Sequence, residues 1–288
     1  MSEQDVILQV RNLSVHFNVP AGGLFGGHKV LKAVKNVSFD LHAGETLGIV
    51  GESGCGKSTL SRAIIRLIEA SGGESVWMGK DILKMNSSEL VGLRKDIQMI
   101  FQDPLASLNP RMTAGSIIAE PLQIHNPEVT KAERTKRVAE MMEKVGLTPN
   151  MINKYPHEFS GGQCQRIGIA RALITRPKLI VCDEAVSALD VSVQAQVINL
   201  LMDLQKEFGV SLLFIAHDIA VVRHIAQRIM VLYFGEVVEI GESEQVVMAP
   251  SHDYTKKLIA SVPVPDPKEE MKRREVRRRL RREAAAAA

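Results

Sequence analysis

Long apolar runs are missing from this chain: stretches such as Val210 to Ala216 fall well short of the ~18 to 20 residues that a membrane-crossing helix needs. The start, Met1 to Asp5, lacks the basic-then-apolar pattern of a signal peptide. The expectation is a folded protein that is neither inserted nor exported. Cysteine is scarce as well. Cys55, Cys164 and Cys182 are odd in number and lack the paired spacing of a zinc ribbon or redox motif, which fits a reducing compartment. No internal repeat is evident. With 45% hydrophobic and 24% charged residues, collagen-like, disordered and disulfide-scaffold classes are excluded. An excess of one charge occurs in one place only. The chain carries a net +3, yet Lys268 to Glu283 holds nine Lys or Arg against four Glu, so this run alone is +5 and the remainder is −2. A solvated helix with local ion pairs, weakly drawn to anionic lipid, is its expected form.

What is present is an alternation of β-rich and amphipathic segments, which predicts an α/β fold with a mainly parallel sheet. The 288 residues suffice for one large domain or two smaller ones. Strands are expected at Ile7 to Phe17, Val30 to Leu41, Thr46 to Val50, Ser75 to Met78, Ile97 to Phe101, Leu179 to Asp183, Ser211 to Ala216, Arg228 to Phe234 and Glu236 to Ile240. The first two read as antiparallel and edge-like, joined by the Gly-rich Ala21 to Gly27. Leu60, Ala63, Ile64, Leu67 and Ile68 repeat at helical spacing, as do Val197, Leu200, Leu201 and Leu204. From Thr113 to Thr175 strand signals vanish, and Thr130 with Glu133 forms a capping box, so a helical insertion at about 103–175 is expected. After Gly241 the Pro-punctuated chain reads as irregular, with a domain end near 262 and a Pro-rich exit and basic tail at 263–288. The five terminal alanines carry no argument.

The strongest chemical signal is Gly51-Glu52-Ser53-Gly54-Cys55-Gly56-Lys57-Ser58, set between an apolar strand and a helix. Backbone N–H groups of Ser53 to Thr59 at that helix start would converge on phosphate oxygens. Lys57 would neutralise β/γ charge, Ser58 would place its hydroxyl on Mg²⁺, and Thr59 would reach the α-phosphate. Leu179 to Glu184 is an apolar strand ending in two carboxylates on opposite faces, so their roles differ. Asp183 would hold the Mg²⁺ shell, directly or through water, and Glu184 would polarise an attacking water. His217 follows the strand Ser211 to Ala216 and would bond the γ-phosphate, while Gln102 offers an amide oxygen to the metal. Ser160-Gly161-Gly162-Gln163 precedes the apolar run Ile167 to Ile174 and supplies a second anion-binding helix start. One nucleotide cannot easily use both ends within a chain, so this site is expected to serve a partner's nucleotide. The bland alternative is a Ser N-cap.

Together these segments resemble the ATP-binding subunits of ABC transporters. Gly51 to Ser58 matches the Walker A loop, Gln102 the Q-loop, Ser160 to Gln163 the signature, Leu179 to Glu184 Walker B, Ser187-Ala188-Leu189-Asp190 the D-loop and His217 the switch histidine. The resemblance spans about Val6 to Ser261 and implies a RecA-like P-loop core with an antiparallel β subdomain and an inserted helical subdomain. It also implies ATP and Mg²⁺ as cofactors, Phe17 stacked on adenine, and Asp190 in the shared nucleotide site. Phe101 to Pro104, Ser107 to Arg111, Glu120 to Leu122, Tyr155 to Glu158, Asp190 to Ser192 and His252 to Thr255 resemble the oligopeptide and dipeptide importers, as does Val262 to Pro267. That subfamily implies a related but different ATPase partner, two membrane permease subunits and an extracytoplasmic solute-binding protein, at the cytoplasmic face of the cell membrane and without nucleic acid. Nickel or glutathione import, or an ABC ATPase of DNA repair or translation, are the alternatives. Repair members carry a very long coiled-coil insertion and translation members fuse two units, unlike this chain. Two departures stand out. Ala185 replaces a common Pro, and no cysteine follows Cys182, which leaves no basis for an iron–sulfur site.

Overall fold

The computed structural model describes residues 5–20 and 28–261. The Gly-rich joint at 21–27, the Pro-rich exit and the basic tail read above lie outside the described residues. In chain order the elements are β1 (Val6–Pro20), β2 (His28–His42), β3 (Thr46–Val50), α1 (Lys57–Ile64), β4 (Gly72–Trp77), β5 (Lys80–Asp81), α2 (Ser87–Asp96) and β6 (Ile97–Ile100). Then follow α3 (Ala114–His125), α4 (Lys131–Lys144), α5 (Gly161–Leu173), β7 (Leu179–Asp183), α6 (Val191–Phe208) and β8 (Ser211–Ala216). The described part closes with α7 (Ile219–Ile225), β9 (Arg228–Tyr233), β10 (Glu236–Glu242), α8 (Ser243–Met248) and α9 (Asp253–Ser261).

Strands β3, β7 and β8 are buried along their whole length, which is why each reads as a continuous apolar run rather than an alternation. They lie in a six-stranded sheet of order β10-β9-β3-β8-β7-β6, parallel except for β10. Side-chain alternation divides its two faces. Leu213 and Ile215 join a core shared with β1, β2, β4 and α1, whereas Leu212, Phe214 and Ala216 join the core of helices α3 to α8.

The second sheet is antiparallel, of order β2-β1-β4-β5. Here the expectation needs correcting: β2 is an edge strand, but β1 is interior, because β4 returns after α1 and pairs with its other side, Leu8 opposite Trp77. Between β6 and β7 the described elements are helical, as expected. The Thr130 cap is half formed. Thr130 Oγ1 accepts from the N–H of Glu133, but the Glu133 carboxylate turns to Arg137 at 2.8 Å, where an ion pair competes for it. Among the described residues after Gly241 the chain is largely helical rather than irregular, in α8 and α9. At six and nine residues each spans two and a half turns or fewer, too short for a clear period, and Pro250 between them read as loop. Phe101, Met78 and Phe234 lie just past the strands assigned to them, the latter two at positive φ in turns.

Candidate functional site

Parallel pairing of β3, β8, β7 and β6 brings their carboxyl ends to one sheet edge in that order. The 51–56 loop, His217, the Asp183–Glu184 pair and Gln102 thus arrive side by side, at the edge where α/β sheets bind ligands. Segments more than 30 residues apart in sequence are collected by topology alone.

The loop enters α1 through Gly56, the helix N-cap, at φ 104°. A Cβ there would stand 2.2 Å from the carbonyl oxygen of Ala33, so both the conformation and the space require glycine. No side chain caps α1, which leaves its first N–H groups without a side-chain partner. Lys57 is buried, and its ammonium donates to the carbonyls of Gly51 (2.8 Å) and Glu52 (2.9 Å) while lying 3.5 Å from Glu184 Oε1. Ser53 and Gly54 are exposed, and Ser58 and Thr59 are partly so. Cys55 instead turns inward, and burial pushes its thiol pKa up, so it packs against the loop from behind.

Asp183 is fully buried at the end of β7. Its Oδ2 accepts from Arg62 Nη2 at 3.2 Å, and its Oδ1 has no partner among the described residues. A buried carboxylate oxygen left bare costs free energy unless a cation or donor meets it. Glu184 follows at φ 52°, a left-handed conformation that a non-glycine side chain adopts at a cost of roughly 1 to 3 kcal/mol. The turn is over-determined: the Glu184 N–H donates to Ile215, and its carbonyl accepts from both the N–H and the hydroxyl of Ser187. This aims the carboxylate back toward Lys57 and into a small pocket shared with Ser187, Gln194, His217 and Asp218. Glu184 and His217 thus line the same small pocket.

Gln102 is exposed just beyond β6, and Phe17 is exposed on β1 opposite Leu31. Ser160 caps α5 in a complete capping box: its hydroxyl accepts from the Gln163 N–H, and Gln163 Oε1 accepts from the Ser160 N–H. The helix starts at Gly161, six residues before the apolar run that marked it. No hydrogen bond joins 160–163 to the 51–58 loop among the described residues. Gly161 and Gly162 face Leu189 and Val193 instead, which sets the α5 start beside Asp190, the N-cap of α6. The Val193 N–H and the Ser192 hydroxyl hold the Asp190 carboxyl below its usual pKa.

Two residues here escaped the sequence reading. Arg62 lies four positions after Ser58 on α1, hence on the same helix face, and that spacing was the available signal. Tyr254 Oη accepts from the Glu52 N–H at 3.0 Å; it stood in the sequence only as part of His252 to Thr255.

A phosphate-cradling loop, a strand-end carboxylate pair and a histidine along one parallel edge define a P-loop ATPase. The family model described as ABC transporter matches residues 34–187, just over half of the chain, and the chain belongs to that family. A second model, described as oligopeptide/dipeptide transporter, C-terminal region, matches residues 238–287. The chain is 60% identical to the oligopeptide transport ATP-binding protein OppF of Haemophilus influenzae, over 93% of this chain and 81% of that protein. It is 53% identical to the glutathione import ATP-binding protein GsiA of Pectobacterium atrosepticum, over 91% of this chain but 42% of that one. Among solved structures it resembles the dimeric ATP-binding cassette MJ0796 in a post-hydrolysis state bound to ADP and Pi. The TM-score is 0.74 at 31% identity, over 82% of this chain and 99% of that one. The chain is an ABC-type ATPase, and among its described residues no helix is long and apolar enough to cross a membrane.

Proposed function

We propose that this ATPase powers uptake of oligopeptides, docked on the cytoplasmic face of the cell membrane against permease subunits and paired with a second, related ATP-binding chain. The observation that carries the cargo is the joint match of the catalytic part and of residues 238–287 to oligopeptide transport proteins. Glutathione import is favoured less, because the chain spans 42% of that relative.

In this reading residues 1–262 form the ATPase domain, with the helical part at about 103–175, and the N–H groups of Ser53 to Thr59 bind the nucleotide's phosphates. Lys57 exchanges Glu184 for the β/γ oxygens, a stronger partner for its buried ammonium. That exchange frees Glu184 to orient and deprotonate water, with His217 beside it to bond the γ-phosphate. Mg²⁺ fits the bare Oδ1 of Asp183; Asp183, Ser58 and Gln102 would hold it, and the ion would supply charge neutralisation for the phosphates. Phe17 offers an exposed ring to adenine. Ser160 to Gln163 and Asp190 serve the nucleotide of the opposing chain, which is why the isolated chain should be monomeric and a poor ATPase.

Glu184→Gln in the assembled complex should keep ATP binding and lose turnover by roughly two to four orders of magnitude, the usual weight of a general base. Steady ATPase near wild type removes Glu184 from this role. In vesicles carrying the purified complex, a labelled short peptide should accumulate with ATP; accumulation of glutathione or nickel alone refutes the cargo.

A further inference from the structure

The loop that cradles phosphate is held from behind by the C-terminal part of the chain at two points. The turn between β9 and β10 donates the N–H of Gly235 to the carbonyl of Cys55 at 2.9 Å. On α9, the buried Tyr254 accepts from the N–H of Glu52 at 3.0 Å. Its ring lies against Tyr233, the last residue of β9, with centroids 4.0 Å apart.

The second contact falls on a particular peptide unit. The N–H of Glu52 and the carbonyl of Gly51 belong to the same planar group. Tyr254 takes its hydrogen, while its oxygen accepts from the Lys57 ammonium at 2.8 Å. The two bonds fix the plane's rotation, and each polarises the group so as to strengthen the other. The placement of Tyr254 is itself built. Glu239 on β10 accepts from the N–H of Ser251 (2.8 Å), the hydroxyl of Ser251 (2.9 Å) and the N–H of His252 (3.1 Å), tying down the segment that leads into α9. His252 Nδ1 then accepts from the N–H of Tyr254 at 3.1 Å.

We infer that Tyr254 is a positioning residue of the nucleotide site, which sets the orientation of the Gly51–Glu52 peptide and through it the position of Lys57. The α9 region is thereby part of the ATP-binding apparatus, and its docking on β10 tunes nucleotide affinity. This rests on the reading of the 51–58 loop as the nucleotide site.

The test is a double-mutant cycle on the full chain, read by equilibrium titration with a fluorescent ATP analogue and Mg²⁺, with thermal melts alongside. Tyr254→Phe keeps the ring against Tyr233 and removes the acceptor. It should weaken binding by up to about tenfold, the span of one hydrogen bond, and lower the melting temperature by only a few degrees, so that the chain stays folded throughout the titration. In a Lys57→Ala background the same substitution should change nothing further, because its effect passes through Lys57. Glu239→Gln, which leaves Tyr254 intact but weakens its anchorage, should lower affinity in the same direction by less. Unchanged affinity for Tyr254→Phe, or an equal loss in both backgrounds, overturns the inference while leaving the nucleotide site in place. Unchanged affinity for Lys57→Ala overturns the site itself and this inference with it.

Discussion

Removing the guanidinium of Arg62 strands a carboxylate that has no other partner among the described residues. Asp183 is fully buried, with Oδ2 on Arg62 at 3.2 Å and Oδ1 bare. Deleting one member of a buried ion pair costs about 3 to 5 kcal/mol. The Arg62 side chain is 44% exposed, so solvent already screens part of that interaction, and about 2 kcal/mol is the expected loss. At roughly 2 to 4 °C per kcal/mol for a chain of this size, Arg62→Ala should lower the melting temperature by about 4 to 8 °C. A divalent cation on Oδ1 would replace the lost charge, so Mg²⁺ with ATP should narrow the gap to wild type. Asp183→Asn added to Arg62→Ala should restore the melt without Mg²⁺, because the amide has the carboxylate's shape and no charge to bury, and should abolish the Mg²⁺ effect. Calorimetric melts of the three proteins, with and without Mg²⁺ and ATP, settle the matter. Coincident melts of wild type and Arg62→Ala, or a deficit that Asp183→Asn leaves untouched, would falsify the account of Asp183 as an uncompensated charge.

Two further outcomes follow from space and burial. Gly56→Ala brings a Cβ to 2.2 Å from Ala33 at φ 104°, whereas Gly54→Ala, at φ 79°, meets open space. The first should abolish ATP binding, and the second should cost only the roughly 1 to 2 kcal/mol of a left-handed alanine; equal stability losses contradict this. Burial pushes the Cys182 pKa up to about 12 from 9.0, so the folded thiol holds its proton more tightly than the unfolded one. Its stabilising contribution is complete below pH 9 and lost as pH rises toward 12, at up to about 1.4 kcal/mol per unit. Urea midpoints between pH 8 and 10.5 should fall less steeply in Cys182→Ala; identical slopes contradict the assignment.

The parallel core was legible because buried strands announce themselves. Leu179 to Asp183 and Ser211 to Ala216 have no solvent-facing positions to interrupt the apolar run, and each ends in the polar residues the site uses. The loop 51–58 was legible because glycine, lysine and serine are fixed by local backbone and phosphate chemistry. What stayed hidden is what long-range pairing decides. That β1 is interior depends on β4 returning across 50 residues and more, which no local pattern records. Arg62 lies outside every motif and Tyr254 inside one that assigned it no role, and their significance exists only once β7 and α9 are placed against α1 and the loop. Helix α9 escaped for a different reason: nine residues give too few turns for a period to emerge beside proline punctuation.

On the proposed reading, the two candidate phosphate-binding helix ends differ in what already occupies them. At α1 no side chain caps the first turn, so its free N–H groups are available to a ligand at no cost in existing bonds. At α5 the reverse holds, since Ser160 and Gln163 satisfy one another in a closed box. A cap of this kind is worth about 1 kcal/mol, and a phosphate from an opposing chain would have to displace it or share its donors. On the proposed reading the two half-sites are therefore unequal by construction. The α1 end binds nucleotide first, and the α5 end joins only when a charged phosphate, already fixed on the other chain, outcompetes a neutral intrachain bond. Pairing of the two chains then depends on bound ATP, and hydrolysis, which separates the γ-phosphate from its anchor, returns α5 to its own cap.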